Sequence, residues 1–168
     1  MTWTYWLGSG LIVLVIALIG LTGFGERRWR RQVTLLCTNL EAARLDGRPR
    51  AAAMPRRYDA RELEGLPPPV RHYFRTVLKD GQPVIAAVTV NVAGTFNMSP
   101  TGEQWKRFTS RQRVVTRRPG FVWDANIAMA PGVSARVVDS YIARKGLLRA
   151  TLQGLFTMAE QEGRQGFM

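Results

Sequence analysis

Met1 to Gly25 contain no charged side chain, and this run constrains the chain more than any other feature. From Tyr5 to Phe24 the residues are mostly Leu, Ile, Val and Gly. As a helix these twenty residues would span roughly 30 Å, the thickness of a bilayer's hydrocarbon core. Trp3, Tyr5 and Trp6 flank one end, and Phe24 and Trp29 the other, as expected of rings that favour the membrane–water boundary. A cleaved signal peptide is the competing reading. It needs a basic leading segment, yet nothing before Arg27 is basic except the α-amino group, and Gly23-Phe24-Gly25 is a weak cleavage site. The pattern predicts a transmembrane anchor over residues 1–26. Arg27, Arg28, Arg30 and Arg31 follow, opposed only by Glu26. The positive-inside rule places them in the cytoplasm, giving a single pass through the inner membrane. There these arginines are expected to meet an anionic lipid surface.

Composition narrows the chemistry. A single Cys excludes a disulfide framework and a Cys-rich zinc site, and a single His excludes a multi-His metal site, so no metal or cofactor is expected. The net charge of +12 raises the question of a phosphate-bearing partner. Lys106 to Arg118 hold no acid, and Trp105 and Phe108 lie in or beside that run. The basic excess is nonetheless spread along the chain, and no nucleic-acid motif is visible. Anionic membrane lipid or an acidic protein is therefore the expected partner, through Arg111 and Arg113; nucleic acid is not expected. The sequence sets no oligomeric state.

Beyond the span, Leu36, Leu40 and Ala43 recur at i, i+4 and i+7, predicting a juxtamembrane helix over 27–45. Pro49, Pro55 and the surrounding Arg and Ala mark 46–62 as a linker, and 63–168 as the folded domain. Leu66-Pro67-Pro68-Pro69 opens a helix whose Val70, Tyr73, Phe74, Val77 and Leu78 make one apolar stripe. From Val84 the period changes to two. Five strands are expected, over Val84–Met98, Gln104–Thr116, Phe121–Met129, Val133–Ala143 and Leu147–Gly154, joined by short turns into an antiparallel meander. Phe121, Trp123, Ala125, Ile127 and Met129 share one face, with Asp124 and Asn126 on the other. The apolar face needs cover, and the Val70–Leu78 helix is the expected lid. The polar tail after Leu155 leaves the last strand as an open edge, so the chain is expected to be cut short.

Leu66-Pro67-Pro68-Pro69-Val70-Arg71-His72-Tyr73-Phe74 resembles the "LPxPVxRYF" opening of an uncharacterised bacterial family of membrane-anchored proteins. The likeness continues through Asp80-Gly81-Gln82-Pro83, is strongest at Arg118-Pro119-Gly120-Phe121-Val122-Trp123-Asp124-Ala125, and covers about Leu63 to Gly163. It implies family membership without an activity, and a longer domain. More remotely, the Arg-Pro-Gly-Phe-x-Trp strand and its Pro turn are similar to LolA-like lipoprotein carriers. That resemblance implies a curved antiparallel half-barrel, C-terminally truncated here, around an apolar ligand. The expected fold class is α+β: a transmembrane helix, then a helix packed on the curved meander. The ligand-binding residues are expected to be Phe96, Phe121, Trp123 and Tyr141.

No catalytic constellation stands out. His72 has no assignable nucleophile or orienting partner. Asp124 and Asp139 sit on adjacent expected strands and could form an acid–base pair, but cross-strand charges on a solvent face are the plainer reading. Cys37, near the membrane flank, is either a palmitoylation site or an inert helix cysteine. The leading expectation is a membrane-anchored, non-enzymatic domain holding an apolar or lipid-like ligand. The alternative is a membrane-tethered module that docks an acidic partner or anionic lipid through its basic strand, with an enzyme acting through Asp124 and Asp139 as a third.

Overall fold

The computed structural model describes residues 3–45, 56–116 and 118–164. One helix, α1 (Trp3–Leu45), runs for 43 residues without a break. Its apolar part is long and apolar enough to cross a membrane, with mean hydropathy 2.4 and none of it buried in the protein. This property is shared by anchors and signal sequences. The second part, from Gly25 onward, lies on a sheet. Of the expected linker, residues 46–55 lie outside the described residues. Residues 56–58 are tied by backbone hydrogen bonds to 81–84, as in Tyr58 N–H to the Gln82 carbonyl at 2.9 Å. A 3-10 turn (Ala60–Leu63), capped by the Asp59 carboxylate, leads into α2 (Pro68–Val77).

Six strands follow: β1 (Ala87–Asn97), β2 (Trp105–Val115), β3 (Gly120–Ala130), β4 (Val133–Ile142), β5 (Lys145–Leu152) and β6 (Phe156–Arg164). They form one sheet in chain order, every neighbouring pair antiparallel. The β4–β5 connection is a two-residue turn with both residues, Ala143-Arg144, at positive φ, and the three-residue β5–β6 connection likewise places Gln153 and Gly154 at positive φ. This backbone hand matches the twist of the flanking strands.

The α+β meander expected from the sequence is present, with three differences. The sheet is neither closed nor strongly curled: β1 and β6 end the strand order and do not pair with each other, so the half-barrel is not formed. A sixth strand stands where a polar tail was expected, because backbone pairing with β5 needs no apolar alternation at an edge. Glu160 there meets Arg149 across the strands. Finally, α2 is not the lid. It buries no residue fully, leaves Tyr73 and Val77 exposed, and packs on the 3-10 turn.

The cover is α1. Its Trp29, Val33, Leu36, Cys37 and Leu40 follow helical spacing and meet Val115, Val122 and Val138 of the sheet. Trp29 and Leu40 are each only 1% exposed, which at about 1.5–3 kcal/mol for a fully buried large apolar side chain makes them the main apolar anchors of the packing. The seat is close as well as apolar. A Cβ on Gly120 would lie 2.6 Å from the Tyr141 carbonyl oxygen and 2.9 Å from Leu40 Cδ1; one on Gly154 would lie 2.6 Å from the Gly25 carbonyl oxygen.

Candidate functional site

Cross-strand register sorts the sheet into two faces, since residues directly opposite one another point the same way. Arg113, Val122 and Ser140 form a row on the face under α1, and Arg111, Asp124 and Val138 form the next. Val90, Gln112, Trp123, Asp139 and Leu148 form a row on the other face. The face that α1 covers is thus the one carrying Asp124 and Asn126. The face carrying Phe121, Trp123, Ala125 and Ile127 is not covered by α1; on it Ala125 and Ile127 are buried among their neighbours, Phe121 and Trp123 are half-buried, and Val88, Val90 and Leu148 are exposed.

Three of the polar groups under α1 have partners on the helix, whereas the buried Asn126 Oδ1 has no hydrogen-bond partner among the described residues. Trp29 Nε1 donates to Asp124 Oδ1 at 2.8 Å. Arg113 donates to Glu41 Oε1 at 2.7 and 2.9 Å and to Thr89 Oγ1 at 3.2 Å. Arg136 pairs with Glu26, which also accepts from Arg30 at 2.8 Å. Burial opposes ionisation of Glu26 and Glu41. The hydrogen bonds and charges of Arg136 and Arg30 on Glu26, and of Arg113 and Arg44 on Glu41, outweigh it and hold both carboxyls below the usual range. Burial pushes the Cys37 thiol up, against the nearby Arg111 charge, which lowers the thiolate fraction and the reactivity of this side chain.

This arrangement separates Asp124 from Asp139. They lie in neighbouring rows of opposite faces, one bonded to Trp29 and the other beside Trp123, so they form no carboxylate pair. His72 is exposed on α2. No group of three or more His, Cys, Asp or Glu that could hold a metal occurs among the described residues.

On the open face Phe121 is directly opposite Tyr141, and Trp123 is two residues along the same strand, so three of the four expected ligand residues form one cluster. Val88 and Val90 extend it on β1, and Leu148 on β5. Phe96 shares the face but not the cluster. It lies eight residues along β1 from Val88, which is in the Phe121 row, or about 26 Å at strand spacing. Its ring instead meets Phe108 edge-on, with centroids 6.4 Å apart.

The expected anionic-surface residues also divide. Arg27, Arg28, Arg30 and Arg31 are exposed on α1 just past the apolar stretch. Arg111 is exposed in a groove between α1 and β1–β2, whereas Arg113 in the same groove is engaged by Glu41. What the sequence reading missed is that the apolar stripe of α1 from Trp29 to Leu40, flanked by Glu26 and Glu41, packs on the sheet. The signal was the Trp29-Val33-Leu36-Leu40 spacing, interrupted by basic residues that read as a membrane flank.

The sequence model of a family of unknown function (DUF6920) matches residues 64–166. No curated protein and no solved structure matches the chain.

Proposed function

We propose, for a chain that belongs to the DUF6920 family of unknown function, a single-pass membrane-tethered, non-enzymatic domain that binds an apolar or lipid-like ligand on the open face of its sheet. One observation carries this reading. The side chains Val88, Val90, Val92, Trp123 and Leu148 lie on a face that α1 does not cover, and the three valines and Leu148 are exposed. Exposed apolar side chains gathered on one uncovered face, with Gln112 and Asp139 interspersed in the Val90–Leu148 row, support an interaction site. Phe121 and Tyr141 add aromatic area with a hydroxyl at one end, a surface suited to a chain with a polar head. The apolar run of α1 and the arginines after it would hold this face close to lipid, on the cytoplasmic side by the charge rule.

The test is photocrosslinking of the full chain in phospholipid nanodiscs with a diazirine fatty acyl probe, followed by peptide mapping. Adducts on β1, β3 and β5 peptides of the open face, reduced by Trp123→Asp, are the expected result. Adducts confined to α1, or unchanged by Trp123→Asp, overturn the reading.

A further inference from the structure

The ends of the sheet differ in a way the open face does not explain. In a meander, alternate turns fall at the same end. The β1–β2, β3–β4 and β5–β6 connections therefore share one end, and the β2–β3 and β4–β5 connections the other. Three aromatic side chains are exposed on the described strands: Phe96 at 44%, Trp105 at 56% and Phe156 at 63%. All three stand at the first end, beside exposed Met98, Val133 and Met158. The turns of the opposite end carry Arg118, Arg144 and Lys145.

α1 orients these ends. Along the helix, Glu26 meets Arg136, Trp29 meets Asp124, and Leu40 lies against Gly120. Moving back toward the N-terminus of α1 is therefore moving toward the aromatic end. Gly25, where the uncharged run stops, sits on the Gln153-Gly154 turn. From the row shared by Gly94, Phe108, Ile127, Ala135 and Leu152, the β1–β2 and β3–β4 hairpins extend three residues further, to Asn97 and Ala130. Three strand residues cover roughly 10 Å, equal to about six or seven residues of helix. Gly25 sits on the turn one to two residues past that row, so the two hairpin tips reach about the level of Gly25 and a few Å beyond it, where the apolar run ends.

We infer that this hairpin end is a second membrane contact, seated at the headgroup–acyl boundary of the bilayer that α1 enters. Aromatic and aliphatic side chains at that depth exchange water for acyl chain while the backbone turns stay among headgroups. The placement brings one end of the open face to the lipid, so that an acyl chain leaving the bilayer meets Phe96 and Phe108 first. Glu103, in the β1–β2 loop beyond Trp105, is the acid nearest this contact in sequence and would sit among the headgroups. The inference rests on the reading of α1 as a membrane anchor.

The test uses the full chain in nanodiscs of brominated phosphatidylcholine and phosphatidylglycerol, with Cys37→Ser and one bimane-labelled cysteine at a time. Trp105→Cys, Val133→Cys and Phe156→Cys report the hairpin end, Lys145→Cys the opposite end, and Leu18→Cys the anchor. Loss of emission at the three tip sites and at Leu18→Cys, with none at Lys145→Cys, is expected. Quenching at Leu18→Cys with tip sites as bright as Lys145→Cys overturns the second contact and leaves the anchor standing. A bright Leu18→Cys overturns the anchor reading, and this inference with it.

Discussion

The two faces of the sheet invert a common expectation. The open face is the more apolar by pattern, with Val88, Val90, Phe121, Trp123 and Leu148 in adjoining rows. The covered face carries Arg113, Arg136 and Asp124, yet it holds the buried core with Trp29 and Leu40. Polarity did not decide which face the helix took; complementarity did. Each of these three polar groups meets a partner on α1, so their desolvation is offset. Gly120 and Gly154 let the helix approach the backbone closely enough for the remaining apolar side chains to interlock. The open face has apolar area but no such partner on α1.

The sharpest way to break this contrast is a pair of tryptophan truncations. Trp29→Ala should lose about 3–5 kcal/mol of unfolding free energy, since it removes a buried ring and its bond to Asp124. Trp123→Ala, on a half-exposed ring, should lose only about 1 kcal/mol. Urea unfolding of the detergent-solubilised chain measures both, and equal losses would mean that the faces contribute alike. Next in size is Gly120→Val, which adds side-chain volume where a Cβ already meets the Tyr141 carbonyl oxygen and Leu40, and should cost about 1–3 kcal/mol. The same substitution at Gly163, where a Cβ meets nothing within 4 Å, should be close to neutral.

The smallest effect is electrostatic. Glu26 and Glu41 have carboxyls held below their ordinary range in the folded protein. Their contribution is therefore complete above the unfolded-chain value, about 4.3, and is lost as pH falls through the lowered folded value. Partly exposed pairs of this kind contribute about 0.2–1 kcal/mol each. Glu26→Gln with Glu41→Gln should flatten the acid side of the urea-midpoint profile below pH 5 while leaving its neutral-to-alkaline shape unchanged. A parallel shift at all pH values would assign the stabilisation to packing instead.

Much of the architecture was legible. Twenty uncharged apolar residues, the proline-led start of α2 and the period of two from Val84 each follow from local physics, and all three are present. The identity of the lid was not, because Val70–Leu78 and Trp29–Leu40 are both amphipathic and a stripe does not say what it faces. β6 escaped notice for a related reason. An edge strand gains its place from backbone pairing with β5 and from Arg149–Glu160, and neither imposes a pattern on residues 156–164. At the candidate site, alternation put Phe121 and Trp123 on one face of one strand; that Phe96 and Tyr141 share that face, with Phe96 at the far end of β1, follows from cross-strand register, which alternation within a strand does not give. The Asp124–Asp139 pairing failed on register, which no single strand encodes.

An uninterrupted α1 has a mechanical consequence. A rod of 43 residues, about 64 Å, is shared between the apolar run and the core, with no hinge where one gives way to the other. The platform of strands is fixed to the rod by the Trp29 and Leu40 packing, so the two lean together. On the proposed reading of α1 as a membrane anchor, thinning or thickening the lipid, which alters the lean of a helix of fixed length, would swing the sheet by the same angle and raise or lower its aromatic corner.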